Sequence, residues 1–170
     1  MSVETHKKSA PTSVICAVLT VSDTRTEETD KSGRLMKSYL EAHGHRVGYY
    51  AIVKDDGVHI LQGVEEAGNT EGIQAILLNG GTGIARRDVT IETVAPLFEK
   101  EVPGFGELFR MLSYTEDIGP AAMLSRAAAG SFRNTAIFIT PGSSGAVKLA
   151  MEKLILPELG HIVSELNKDL

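Results

Sequence analysis

Four short stretches of this sequence gather residue types suited to a phosphorylated ligand. Asn79-Gly80-Gly81-Thr82-Gly83 runs into Ile84-Ala85-Arg86-Arg87-Asp88. Glycines let backbone N–H groups close on phosphate oxygens, and the arginines add cations beside them. Thr140-Pro141-Gly142-Ser143-Ser144-Gly145 repeats the pairing of glycines with hydroxyls. Ser22-Asp23-Thr24-Arg25 and Lys54-Asp55-Asp56-Gly57 supply carboxylates instead, which suit a divalent cation that offsets phosphate charge.

Several better-known motifs are approached and missed. Gly81-x-Gly83-x-x-Arg86 puts an arginine where a dinucleotide fingerprint needs its third glycine, and no glycine run ends in the Gly-Lys-Ser/Thr of a P-loop. Gly142-Ser143-Ser144-Gly145 lacks the spacing of a hydrolase nucleophile elbow, so its serines read as hydroxyl donors and helix caps. His43 and His45 flank Gly44 at an expected helix end, where histidine caps carbonyls. His6, His59 and His161 have no spaced Cys or His partner for structural zinc. Cys16 lies in an apolar run and reads as a buried small hydrophobe, and Met111, Met123 and Met151 read as core fillers.

The elements that would position these stretches are legible from periodicity. Val14–Val21, Val47–Val53, Ile73–Leu78 and Ala136–Ile139 are continuous apolar, β-branched-rich runs, the pattern of parallel strands covered on both faces. Between them, Leu35, Met36, Tyr39 and Leu40 mark a helix that Asp30 or Ser32 could cap and Gly44 could end. Val58, Leu61, Val64 and Ala67 mark a second, closed near Gly68 and capped by Asp55 or Asp56. Asp88 or Thr90 would cap a helix after the third strand. Pro103–Arg126 shows no strand and reads as a helical excursion, and Val147 to Leu166 continues a helical period through Pro157. Alternating strands and helices predict an α/β fold, a doubly wound, mostly parallel sheet with helices on both faces. All four chemical stretches then fall at strand exits, where such sheets bind ligands.

Composition narrows the class. A chain of 170 residues with no repeat or linker predicts a polar, loose tail over residues 1–12 and one domain over 13–170. With 17 Lys+Arg against 22 Asp+Glu the net charge is −5, which disfavours a nucleic-acid partner. No run reaches the ~18–20 apolar residues of a membrane span. The single Cys16 suits a reducing compartment, so the expected location is the cytoplasm.

Seven spaced motifs, in order, carry a resemblance. Thr20-Val-Ser-Asp23, Asp30-x-Ser32-Gly33, Asn79-Gly-Gly-Thr-Gly83, Arg87-Asp-Val-Thr90-x-Glu92, Pro103-Gly104, Met123-Leu-Ser-Arg126-Ala-x-Ala-Gly130 and Pro141-Gly142 resemble the MoaB/Mog family of molybdenum cofactor biosynthesis proteins. The likeness runs from about residue 14 to 165. It implies a molybdopterin-binding fold assembled as a homotrimer or homohexamer. It also implies activation of molybdopterin by adenylyl transfer from Mg-ATP.

Carried over by motif, the resemblance implies that Asp23 and Asp55 are catalytic and hold Mg²⁺. Ser22, Gly80, Gly81, Thr82, Gly83, Arg87, Asp88, Glu92, Ser125, Arg126, Pro141, Gly142 and Ser143 would bind the pterin and its phosphate, Arg126 as a cation for a terminal phosphate. One departure is visible: adenylylating Mog and gephyrin-type members show Pro-Gly-Asn-Pro where this chain has Pro141-Gly142-Ser143-Ser144, a variant that resembles the MoaB branch. The alternatives are therefore an adenylyltransferase, a molybdopterin-binding or carrier protein of the same pathway without turnover, and an unrelated nucleotide-dependent enzyme on a similar sheet.

Overall fold

A computed structural model of the chain describes residues 2–170, with His6 described by its backbone alone. Strands β1 (Ile15–Val21), β2 (Arg46–Val53), β3 (Ala75–Asn79), β4 (Lys100–Glu101), β5 (Ala128–Phe132) and β6 (Thr135–Thr140) form one sheet in the order β2-β1-β3-β6-β5-β4. The β2–β1, β1–β3 and β3–β6 pairs are parallel, as the apolar runs predict. The β6–β5 and β5–β4 pairs are antiparallel.

Successive residues of the parallel strands enter opposite cores, as the period-2 geometry of a strand requires. Cys16 and Val18, Ala75 and Leu77, and Ala136 and Phe138 pack with α2 (Lys31–Ala42), α5 (Pro103–Ser113), α6 (Ser144–Ala150) and α7 (Leu156–Leu166). Ala17 and Leu19, Ile76 and Leu78, and Ile137 and Ile139 pack on the other face with α3 (Gly57–Asn69) and α4 (Thr90–Val94). Asp30 caps α2 by accepting from the Gly33 N–H at 2.9 Å, and Asp56 caps α3 by accepting from His59 N–H at 3.0 Å. Between α6 and α7 the backbone widens into a π-helical turn over Met151–Ile155, so the helical period continues without a break.

Four expectations are corrected. The segment read as a loose tail contains α1 (Val3–Ser9), capped by Ser2 and joined to α7 by an ion pair between Lys7 and Glu158; Met1 lies outside the described residues. The hairpin β5–β6 escapes sequence reading because Ala128-Ala-Gly-Ser-Phe132 lacks β-branched residues. Its two-residue turn, Arg133-Asn134, has both φ angles positive, a type I′ arrangement without the usual glycine. Helix α4 has Val89 at its N-cap with no side-chain bond, so neither Asp88 nor Thr90 caps it. Met151 is buried as expected, but Met111 and Met123 are 55% and 80% exposed.

Candidate active site

At the carboxyl ends of β1, β3 and β6 the exit loops enclose a cleft of about 410 Å³. The chain leaves β1 toward β2 on one side and returns with β3 on the other, so the cleft lies at the topological switch point of the sheet. Its lining includes Ser22, Asp23, Asp55, Gly80, Gly81, Thr82, Gly83, Arg87, Asp88, Ser125, Pro141 and Gly142, all anticipated from the sequence.

The glycine loop has little freedom to be anything else. Gly80 and Gly81 have φ of +100° and +65°. A Cβ on Gly80 would stand 2.4 Å from the Val21 carbonyl oxygen, and one on Gly81 2.2 Å from Thr90 Oγ1 and 2.9 Å from Asp55 Oδ1. Thr90, buried, fastens the loop to the start of α4: its hydroxyl donates to the Gly80 carbonyl at 2.8 Å and its N–H to the Gly81 carbonyl at 3.0 Å. Asp88 closes the far end by accepting from the Ala85 N–H at 3.1 Å. Among the described residues, the N–H groups of Gly81, Thr82, Gly83 and Ile84 donate to no protein acceptor, the requirement for a backbone anion nest.

The carboxylates pack beside the glycine loop. Asp23 Oδ1 accepts the Asp55 N–H at 2.9 Å, tying the β1 exit to the β2 exit. Asp55 Oδ1 is buried without a hydrogen-bond partner. Desolvation, followed by the nearby charges of Asp88 and Asp23, raises the Asp55 carboxyl above the ordinary range, with Arg87 opposing. An orphaned oxygen and mutually repelling carboxylates fit a site that takes up positive charge. No three His, Cys, Asp or Glu side chains among the described residues are arranged as a complete metal cage. Asp23 and Asp55 are the side chains that would be available to Mg²⁺, which is commonly held by one or two carboxylates with ligand phosphates and water completing its shell.

Three sequence-derived site residues lie outside the cleft lining. Arg126 donates from Nε to the Thr82 carbonyl and from Nη2 to the Gly83 carbonyl, both at 2.8 Å, and forms a bidentate pair with Glu92. In the unliganded protein its guanidinium is engaged by these protein acceptors, and it holds the glycine loop from behind. Glu92, in turn, is held below the usual carboxylate range by its hydrogen bond from Arg126. Ser143 caps α6, accepting the Ala146 N–H at 3.2 Å. Conversely, Thr24, Arg25 and Leu124 line the cleft without having been singled out. For Arg25 the signal was available, because it stands within the β1 exit itself.

A family model described as "Probable molybdopterin binding domain" matches residues 17–161. The chain belongs to this molybdopterin-binding domain family. Its similarity within and around the family extends over the whole length: it is 63% identical to molybdenum cofactor biosynthesis protein B of Bacillus subtilis (strain 168) across 169 residues, 99% of each chain. A crystal structure of a molybdenum cofactor biosynthesis protein B superposes with TM-score 0.92 at 58% identity, covering 94% of this chain and 99% of that one. The tungsten cofactor synthesizing protein MoaB from Pyrococcus furiosus superposes with TM-score 0.84 at 41% identity, covering 92% and 99%. The expected fold class is thereby shown: a mostly parallel, six-stranded α/β sheet shared with molybdopterin-binding proteins.

Proposed function

We propose that this protein acts in molybdenum cofactor biosynthesis, binding molybdopterin in the cleft and adenylylating it with Mg-ATP in the cytoplasm. The observation that carries the reading is the union, in one cleft, of unpaired glycine-loop amides with Asp23, Asp55 and Asp88. In this reaction a terminal phosphate oxygen of the pterin bonds to the α-phosphorus of ATP while the bond to pyrophosphate breaks. Such a transfer depends on positioning and charge neutralisation and needs no protein nucleophile. Gly81–Gly83 would hold phosphate oxygens, and Ser125 would offer a hydroxyl at the cleft rim. Asp88, Asp23 and Asp55 would face the pterin amide edge or the metal. Mg²⁺, held by Asp23 and Asp55, would offset charge on the nucleotide phosphates.

The binding or carrier reading without turnover is favoured by one feature, the replacement of Pro-Gly-Asn-Pro by Pro141-Gly142-Ser143-Ser144, with Ser143 committed to capping α6. Incubation of the purified protein with molybdopterin, ATP and Mg²⁺, following pterin binding and pyrophosphate release together, separates the two. Release at a rate set by enzyme concentration supports the transferase, and binding with no release leaves the carrier. Asp23→Asn keeps an oxygen for the Asp55 N–H but loses the charge. Its expected effect is a fall in turnover of about 100-fold with pterin binding largely kept.

A further inference from the structure

We propose that Arg25 binds a phosphate group of the ligand, as the cation of the cleft corner where the β1 and β6 exits meet. This assignment rests on the reading of the cleft as a site for phosphorylated ligands and names a contact within it.

The fork of Arg126 is filled by two carbonyls and a carboxylate, as described above. Arg87 lines the acidic wall, where its charge acts on Asp55. Arg25, unlike Arg126, has one side-chain hydrogen bond, from Nη2 to the Gly142 carbonyl at 3.2 Å, and its side chain is one-third exposed. Its other near neighbour is Asp30, 3.7 Å from Nη1, beyond hydrogen-bond range.

Asp30 does not need that arginine for its hydrogen bonds. Fully buried, it accepts the Gly33 N–H on Oδ1 at 2.9 Å and the Tyr50 hydroxyl on Oδ2 at 2.6 Å. Its charge keeps the guanidinium in place, while Nε and Nη1 remain available as donors. The Gly142 carbonyl has a second donor, the Ser32 hydroxyl at 2.5 Å, so the β6 exit stays anchored to α2 when Arg25 engages a ligand. The backbone of Arg25 is fixed as well, since its N–H donates to Ser22 Oγ at 3.1 Å. A guanidinium with a fixed backbone and unfilled donors, lining the cleft beside the β6 exit, is built to take a phosphate in a forked contact.

The phosphate could come from the pterin monoester or from the nucleotide, so binding is measured for two pairs: molybdopterin against the same pterin after phosphatase treatment, and ATP against adenosine. The wild type is expected to prefer at least one phosphorylated partner by about 10-fold or more. Arg25→Gln should abolish that preference in the arm that uses Arg25 and leave the unphosphorylated partner bound within about twofold. Ser32→Ala removes the other donor to the same carbonyl but no charge, and should keep the preference. Retention of both preferences by Arg25→Gln, or equal weakening of phosphorylated and unphosphorylated partners, overturns the phosphate role while molybdopterin binding by the wild type stands. A wild type that binds neither molybdopterin nor ATP overturns the functional reading and this assignment with it. Should Arg25→Gln fail to fold, Arg25→Lys decides: losing the fork should cut the preference to about threefold, and an undiminished preference overturns the proposal.

Discussion

Asp55 concentrates the electrostatic tension of the cleft. Its carboxyl is raised because burial and the Asp88 and Asp23 charges disfavour its ionised form. The folded protein therefore holds this proton more tightly than the unfolded chain does, so the stabilisation from Asp55 is full at low pH. It is lost as pH rises from the ordinary aspartate range through the raised value. Asp55→Asn, which removes the charge and keeps the shape, should raise Tm at pH 7 by a few degrees in the unliganded protein. The gain should vanish near pH ~4, where an unperturbed aspartate is itself half protonated. A Tm series over pH checks both halves. Arg126 offers the converse case, a charge the fold depends on. Arg126→Ala strands the Thr82 and Gly83 carbonyls and leaves Glu92 unpaired. The expected loss is about 1–3 kcal/mol in urea unfolding, only partly restored by lysine, which cannot serve two carbonyls and a bidentate carboxylate together.

At the scale of elements, the exit loops behave as one unit because each is fastened to another part of the chain. Asp23 binds the β2 exit, Thr90 and Arg126 hold the β3 exit, and Arg25 with Ser32 holds the β6 exit. The parallel strands that deliver these loops were legible from their apolar runs, and so were the caps of α2 and α3. The antiparallel edge was not. Strand β5 is built from small residues because the ring of Phe98 lies across it: a Cβ on Gly130 would fall 2.4 Å from Phe98 Cγ and 2.8 Å from the Lys100 carbonyl oxygen. Smallness there records a tertiary contact, which a β-propensity scale reads as weakness. Gly130→Ala should thus cost about 1–3 kcal/mol by overpacking, measured as a shift in denaturation midpoint, with the edge strand β4 losing hydrogen-exchange protection first.

Considered whole, the molecule leaves an apolar surface uncovered beside the cleft. Leu108, Met111, Tyr114, Ile118, Met123 and Leu124 are each 45% exposed or more, and Leu124 also lines the cleft. The two methionines expected in the core are part of this face, since helical periodicity marks an apolar stripe without saying what it packs against. The resemblance to the MoaB/Mog family implies a homotrimer or homohexamer, and this face is where a second copy of the chain would be tested as the partner. Met111→Lys together with Met123→Lys should shift the protein to a smaller species in sedimentation velocity while leaving its circular dichroism unchanged. An unaltered sedimentation coefficient would count against that surface as the interface. Among the described residues no helix is long and apolar enough to cross a membrane.

The amino-acid sequence alone indicated the α/β class, the four covered parallel strands and the four strand exits that line the cleft. These depend on signals carried within a few residues of one another: β-branched runs, capping carboxylates, and glycines where φ must be positive. Tertiary structure decided which charges those loops present to the cleft. Arg126 and Arg25 look equally available in the sequence. The carbonyls that fill the first lie 44 and 43 positions away, and the one that touches the second lies 117 away. A guanidinium's free donors are what remains after distant backbone groups have been satisfied, and only the folded chain brings those groups within reach.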